Sequence, residues 1–331
     1  MAQPNHDPMT ATADAGDVLG AYLRSQATAF LRGLRLHEEG GSPRTESGAG
    51  ADGADGSDAA RSLRGAARRI SGSLATFRGV TEPSWADGLR TELVWLSSTL
   101  ADEHAYAARL TRLLDALHRL SGSPRVPAAR GTAGALTVGS ARAGALLERQ
   151  LTLARTRAHS ATLQALGSAR FHAVADAVAV LASEVPLDPV AARGRVSQVL
   201  VPLAAVAETR LSAAVSALPP AGGPGVAPSP YDADHDGLWH EVRRLLRVHR
   251  YAQEALGGDV TRPAAAGAAL DRHRDAAEAA AASATAARTP RIAPATAYAL
   301  GVLHADQRHE VEAARRAFQD IWLPQPAVAP R

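Results

Sequence analysis

The sequence predicts an all-α protein. Alanine, leucine and arginine, which favour helices, are abundant, whereas aromatic residues make up only 4% of the 331 residues. Apolar residues also recur at helical spacing, as in Leu89, Leu93, Leu96 and Leu100, which lie four, three and four positions apart. Segments rich in proline and glycine separate these periodic stretches, so each stretch is predicted to form a separate helix.

Helical spacing places the first helix over about residues 17–37. Ser57 or Asp58 is predicted to be the N-cap of the second helix, because a side-chain oxygen there accepts hydrogen bonds from the first free backbone N–H groups. Pro294 suits the first turn of the last helix. The later predicted helices cover about residues 141–167, 170–183, 195–216, 235–257, 263–288 and 294–321.

One helical domain is predicted over residues 16–322, between a disordered N-terminus (1–15) and a C-terminal tail (323–331). Within it, the acidic and glycine-rich segment 38–58 is predicted to be a flexible loop. The proline- and glycine-rich segment 219–231 is predicted to be a linker.

The charge of the chain is unevenly distributed. The formal net charge is only +3, yet five arginines and no acid lie between Arg61 and Arg78. Every basic residue other than histidine is arginine, whose forked N–H donors match phosphate oxygens. Arginine is equally exclusive elsewhere in the chain, so biased coding composition explains this exclusivity better than selection for phosphate.

Some protein classes are excluded by composition. The chain has no cysteine, which excludes disulfides and thiolate metal sites. Its first residues lack the basic and apolar segments of a secretory signal, and we find no apolar run long enough to span a bilayer. We therefore expect a cytoplasmic protein that does not contact a membrane.

Two predicted helices carry basic residues at the same spacing. The first basic stripe consists of Arg61, Arg64 and Arg68, which lie along one side of a helix. Their guanidinium groups repel one another unless an anion lies beside them. The spacing recurs 179 residues later in the second basic stripe, which consists of His240, Arg243 and Arg247.

The repeated spacing predicts an internal duplication. The helices that precede the two stripes, at about 17–37 and 195–216, also match in position. The two halves would cover about residues 16–183 and 193–322 and form two four-helix bundles related by a pseudo-twofold axis. The two basic stripes would then face each other across a basic groove.

A phosphate chain is the natural occupant of such a groove, since arginines bind phosphate oxygens and opposed positive walls focus the electric field. Inorganic polyphosphate, nucleic acid, nucleotides and acidic protein tails all remain candidates on this basis. Arginines that are merely solvated are the alternative. Nucleic acid is disfavoured because single-strand binders expose aromatic rings, whereas the rings here share helical spacing with leucines: Phe77, Trp95, Tyr251, Phe318 and Trp322.

Short motifs elsewhere do not predict a metal, a cofactor or catalysis. DADHDG (232–237) resembles the start of a calcium loop, but the twelfth position is Arg243 instead of glutamate. We expect Asp236 to cap the following helix instead. The HRD triplet (273–275) lacks the glycine-rich loop and the downstream asparagine of a kinase.

Five segments, in order, resemble the CHAD family, which is named for histidines in an α-helical domain. The segments are RSLRGAARRISGSLATFR, LRTELVWLSSTL, RTRAHSATLQALGSARFHAVADAV, GLWHEVRRLLRVHRYAQEALG and YALGVLHADQRHEVEAARRAFQDIW. The likeness extends over about residues 17–322. It implies two four-helix bundles around a basic channel that binds inorganic polyphosphate, often on polyphosphate granules, without catalysis.

The resemblance also implies ligand contacts at Arg64, Arg68, Arg69, His240, Arg243, Arg244, Arg247 and Arg250. Arg155 and Arg157 are weaker candidates. Arg61 stands where the family carries a histidine, so it keeps the positive charge but loses a proton that responds to pH. Glu103 and His104 replace the family's Arg-Asp pair, which is expected to loosen a contact that orients helices.

Our first hypothesis is a non-enzymatic polyphosphate-binding protein of the cytoplasm, located on polyphosphate granules. The alternative is a helical scaffold for an acidic or phosphorylated protein partner, with polyphosphate binding weakened or lost. An enzyme would need acids to hold a divalent metal in the groove, and Glu241 is the only acid inside the two stripes. His240 either gains a proton beside a bound phosphate or is a helix-start residue without a ligand, and the sequence favours neither.

Overall fold

The computed structural model describes residues 13–41, 52–122, 132–219 and 233–323. In these ranges the chain forms ten α-helices, one 3-10 helix (Arg78–Val80) and no strand apart from isolated backbone bridges. The predicted all-α class is confirmed. The helices are α1 Ala15–Gly41, α2 Asp52–Thr76, α3 Pro83–Gly122, α4 Thr132–Leu166, α5 Ala169–Ser183, α6 Pro189–Ala192, α7 Val196–Ser216, α8 Asp236–Ala255, α9 Thr261–Ala287 and α10 Pro294–Trp322.

The helices extend further than the sequence predicted. The segment 38–58 is helical at both ends, and its residues 42–51 lie outside the described ranges. The predicted cap at Ser57 or Asp58 is wrong, because α2 already begins at Asp52. Asp58 accepts a hydrogen bond from Arg61 Nη1 at 2.6 Å, an i,i+3 pair that supports helix at this point.

The start of α1 is held by backbone contacts. Ala15 N donates to Gly194 O at 2.8 Å, and Val196 N donates to Ala13 O at 3.0 Å. Residues 13–15 are thus fixed, although the sequence placed them in a disordered terminus. Residues 1–12 and 324–331, and most of the predicted linker 219–231, lie outside the described ranges. Pro294 occupies the first turn of α10, as predicted.

The chain divides into two compact units, each made from separate segments. Unit 1 contains the described residues up to His104 together with Ala158–Ala213 and Leu245–Val260. Unit 2 contains Ala105–Arg157, the described part of Ala214–Arg244, and the described residues from Thr261 onward. Helices α3, α4, α7 and α8 therefore supply residues to both units. The halves 16–183 and 193–322 follow the repeat and stay a prediction.

Unit 1 has a core built from the apolar faces of α1, α2, α3, α5, α7 and the end of α8. Its fully buried large side chains include Phe30, Leu63, Ile70, Phe77 and Leu93. In unit 2, leucines of α3, α4 and α10 pack with alanines of α9. Among the rings assigned to the core, Phe77, Tyr251 and Phe318 are buried as predicted, whereas Trp95 and Trp322 are only half-buried.

Helix α7 departs from the expectation that no apolar run could span a membrane. Among the described residues, it is long and apolar enough by length and composition, and α4 from Val138 with α5 would also qualify as one span bent by 61°. Val196, Leu200 and Leu211 of α7 are buried in the protein. Only 22% of its most apolar window is buried, so much of this apolar length lies at the surface.

Gly72 of α2 lets the ring of Tyr251 on α8 approach closely. A Cβ added at Gly72 would lie 2.7 Å from Cδ2 of Tyr251, which is only 5% exposed. We expect Gly72→Ala to lower the free energy of unfolding by about 1–3 kcal/mol through overpacking, although alanine is the better helix former. Urea unfolding measures the change, with Gly88→Ala on α3 as the control because an added Cβ there meets no atom within 4 Å. Equal stability of the two variants would contradict the expected clash.

Candidate anion-binding site

The first basic stripe lies on α2 and faces more than one neighbour. Arg64 and Arg68 are half-buried, whereas 64% of the Arg61 side chain is exposed. Arg61 forms an ion pair with Asp58 and turns toward α1. The three arginines of the stripe therefore lie along one helix but differ in how exposed they are.

Arg69 of α2 and Arg250 of α8 converge on the carboxylate of Glu254. Arg69 Nε donates to Glu254 Oε2 at 2.7 Å, and Arg250 Nε lies 3.2 Å from Oε1 in an ion pair. The Tyr22 hydroxyl of α1 donates to Oε2 at 3.2 Å. Unit 1 thus joins the two basic helices through one carboxylate, which the sequence analysis had not assigned.

Both arginines also lie over the ring of Tyr251. The distances from the guanidinium carbons to the ring centroid are 5.6 Å for Arg69 and 5.2 Å for Arg250. Cation–π attraction at such distances adds to the ion pairs. Burial and the neighbouring Glu254 raise the pKa of the Tyr22 hydroxyl, which keeps it protonated as a donor. We call Tyr22, Arg69, Arg250, Tyr251 and Glu254 the Glu254 cluster.

A cavity of about 310 Å³ lies between α1 and α2 in unit 1. Arg69 lines it from one end of the α2 face and Arg61 from the other, with Ser62, Gly65 and Ala66 between them. Its polar lining consists of two guanidinium groups, one amide, one hydroxyl and the carboxylate of Asp58, which pairs with Arg61, so an anion would bind beside Arg69 more readily than beside Arg61. The lining residues are Gln26, Ala29, Asp58, Arg61, Ser62, Gly65, Ala66 and Arg69.

The second basic stripe is divided between the units, because Arg247 belongs to unit 1 and the other two members to unit 2. Arg243 lies 2.5 Å from Asp271, and its side chain is 11% exposed. Arg244 donates to Glu241 at 2.7 Å from an exposed position. Both arginines therefore already contact a carboxylate, which a phosphate ligand would have to displace or share.

Arg155 and Arg157 are exposed residues of α4 in unit 2. Glu103, one of the two departures from the family pattern, contacts α4 within unit 1. Its Oε2 lies 3.0 Å from His159 Nδ1. The Glu103–His159 contact joins α3 to α4, so the changed residue takes part in a contact between helices.

His240 is exposed overall, but the inner side of its ring packs on the buried His273, with 5.5 Å between ring centroids. This partial burial lowers the pKa of His240. Asp236 opposes the decrease in pKa, whereas Arg243 reinforces it. The free imidazole is therefore held in its neutral form at neutral pH.

Asp236, which the sequence predicted to be a helix cap, is the centre of a buried ion network. Its carboxylate accepts hydrogen bonds from Arg308 and Arg315 of α10, both at 2.6 Å, and lies 3.5 Å from His273 Nε2. The cap prediction is wrong because Asp236 is the first residue inside α8, and its carboxylate contacts Arg308 and Arg315. Burial raises the pKa of Asp236, but the neighbouring His273 and the hydrogen-bonded Arg308 outweigh it and hold the pKa well below its ordinary value.

The segments that resemble a calcium loop and a kinase triplet both make contacts within the protein. In the DADHDG segment, Asp236 faces arginines, and the described residues contain no group of three or more metal-ligating side chains. In the HRD triplet, His273 stacks on Trp239 and Arg274 Nε donates to Asp275 at 2.9 Å. Both segments therefore contribute to packing in unit 2.

A family model for the CHAD domain matches residues 27–282, which include both basic stripes. The chain belongs to the CHAD domain family. It is similar to PptA from Streptomyces chartreusis, with a TM-score of 0.78 and 58% identity over 94% of this chain and 100% of that chain. It is also similar to the crystal structure of the CHAD domain from the plant Ricinus communis, with a TM-score of 0.56 over 98% of each chain, where 19% identity supports the fold alone. A search of curated proteins gave no match.

Proposed function

We propose that this protein binds inorganic polyphosphate and does not catalyse its turnover. The observation that most directly supports this function is that guanidinium groups from both basic helices meet in unit 1 around one carboxylate, that of Glu254. Four more of the predicted ligand arginines lie in the same unit: Arg61, Arg64, Arg68 and Arg247. Membership of the CHAD domain family supports the same function.

The ligand class follows from the charge pattern. A row of arginines along a helix matches a row of phosphates better than a single one, because each guanidinium can bind a separate phosphate. Such binding releases counterions and weakens steeply with salt, as it does for nucleic acids. The rings of Phe77, Tyr251 and Phe318 are buried and not available to stack on bases, which favours polyphosphate over single-stranded nucleic acid.

The acids near the predicted ligands support binding instead of catalysis. Asp271 contacts Arg243, Glu241 contacts Arg244, and Glu254 contacts Arg69. Each of these carboxylates neutralises an arginine, whereas phosphoryl-transfer sites use carboxylates to hold a divalent metal against the phosphates. We place the protein in the cytoplasm on polyphosphate granules as part of the same proposal.

Titration of the full chain with long-chain polyphosphate at two salt concentrations tests this function. We expect tight binding that weakens steeply with salt and that double-stranded DNA does not displace. Absence of binding at low salt would overturn the proposal. Release of orthophosphate in the presence of magnesium would overturn its non-enzymatic part.

An acidic or phosphorylated protein segment is the second candidate ligand. The observation that favours it is again the Glu254 carboxylate, which pairs with both Arg69 and Arg250 and so occupies the place that an acidic side chain of a partner would take. A captured partner that polyphosphate displaces would use the basic residues. A partner that stays bound in excess polyphosphate would use another surface.

Polyphosphate affinity is expected to rise as the pH falls, in part through His240. A bound polyanion raises the lowered pKa of His240, so the complex takes up a proton. The extra affinity is fully present below the pKa of the free protein and is lost above the pKa of the complex. His240→Ala should flatten the affinity profile between about pH 5 and pH 8, whereas His118→Ala, at an exposed site on α3, should not. Superimposable profiles for His240→Ala and the unaltered protein would exclude this role.

A further inference from the structure

Glu254 lies behind the two arginines that it contacts. Its side chain is 18% exposed, compared with 33% for Arg69 and 23% for Arg250. It approaches both guanidinium groups at Nε, the nitrogen nearest the aliphatic stem. An arginine has five N–H donors, so a contact at Nε leaves the terminal nitrogens of the fork for another acceptor.

The terminal end of Arg69 lies beside the cavity between α1 and α2. Its Nη1 is 3.4 Å from the position that a Cβ on Gly65 would occupy. Gly65 and Arg69 both line this cavity, whereas Glu254 does not. The guanidinium group of Arg69 therefore lies between the carboxylate that holds it and a space large enough for a phosphate group.

We propose that Glu254 is a positioning residue that fixes Arg69, so that Arg69 binds a phosphate group in the cavity between α1 and α2. The proposal rests on the function proposed above and gives that function a local subsite. A fixed side chain loses less rotamer freedom when its ligand binds, and this strengthens binding. Ser62 and Gln26 of the cavity supply a hydroxyl and an amide as further donors.

The direction in which the affinity changes distinguishes a positioning role of Glu254 from a simple effect of its charge. Removing Glu254 makes the protein more positive by one charge, so an account based on charge alone expects tighter polyphosphate binding with a steeper salt dependence. Positioning has the opposite consequence. An unrestrained Arg69 contributes less to the complex, so the affinity falls and the salt dependence becomes shallower.

The test compares Glu254→Ala and Glu254→Gln with the unaltered chain, using long-chain polyphosphate as the probe. We expect Glu254→Ala to bind about threefold to tenfold more weakly, and Glu254→Gln to lie between, because the amide oxygen can still accept from Arg69. Glu92→Gln is the matched control, since it removes a charge from the Glu92–Arg170 pair elsewhere in unit 1. Equal or tighter binding by Glu254→Ala would overturn the positioning role.

A second variant tests the cavity without changing any charge. Gly65→Leu would fill the space beside Arg69 while leaving Glu254 in place, and we expect a similar loss of affinity. Unchanged affinity in Gly65→Leu would overturn the subsite.

Thermal unfolding of each variant separates loss of fold from loss of binding. Failure of the unaltered chain to bind would overturn the proposed function, whereas normal binding by that chain and by the Glu254 variants would overturn the positioning role alone.

Discussion

Replacing Asp236 by alanine is expected to lower the free energy of unfolding by about 3–5 kcal/mol, the range for breaking a buried ion network by removing one partner. Arg308 and Arg315 share the Asp236 carboxylate at 2.6 Å each, and the Arg308 side chain is only 2% exposed. Arg315 also forms an ion pair with Glu312 at 2.8 Å, which remains when Asp236 is replaced. Chemical denaturation at neutral pH measures the change.

Asp271→Ala is the matched control for that result. It removes the same side chain from an aspartate–arginine pair of unit 2, but 53% of the Asp271 side chain is exposed. Solvent screening limits the contribution of such a pair to about 1 kcal/mol or less. Similar losses of stability in the two variants would show that burial does not set the strength of the Asp236 network.

The same network predicts how the stability of the fold changes at low pH. Because the pKa of Asp236 is held below its ordinary value, its carboxylate stabilises the fold above the unfolded pKa of about 3.9. This stabilisation is lost as the pH falls through the lowered pKa of the folded protein. The difference in stability between the unaltered chain and Asp236→Ala should therefore shrink in strong acid.

Replacing both Arg64 and Arg68 by alanine is expected to weaken polyphosphate binding by about tenfold or more at low salt. Each lost phosphate contact should also reduce the slope of log affinity against log salt, by about 0.7 if the ligand behaves like a single nucleic-acid strand. Both side chains are half-buried on α2, so each keeps part of its surface accessible to a ligand. Titration at several salt concentrations measures the slope.

Arg32→Ala combined with Arg35→Ala controls for total charge. These two arginines lie on α1 in exposed positions of the same unit, so the double change removes the same net charge. We expect its salt slope to match that of the unaltered chain. If both double variants flatten the slope equally, the first basic stripe acts only through long-range charge.

The sequence predicted the helices well where apolar periodicity is strong. Leu89, Leu93, Leu96 and Leu100 all face the core, and Pro294 opens the last helix. Helix ends were predicted less well, because a cap and an intrahelical ion pair use the same residue types. Asp58 illustrates this, since it lies inside α2 and contacts Arg61.

The candidate site was predicted in part. Arg69 and Arg250 were both named as ligand contacts, and the structure brings them together, but Glu254 was missed. The contact between Arg69 and Glu254 joins residues 185 positions apart, which local patterns do not report. One available signal was the i,i+4 spacing of Arg250 and Glu254, which is typical of an ion pair on a helix. The arginines that contact Asp236 lie 72 and 79 positions away on α10, which is also beyond the reach of local patterns.

The discontinuous composition of unit 1 has a consequence for its synthesis. A ribosome that adds about 5–20 residues per second needs about 10–40 seconds to travel from Arg69 to Glu254. During that time the nascent chain lacks Ala252, Ala255 and Leu256, which complete the apolar core of the unit. A translation stop before Leu245 would leave the early helices without the last segment of unit 1. The first unit to begin emerging is therefore not finished until most of the protein has been made.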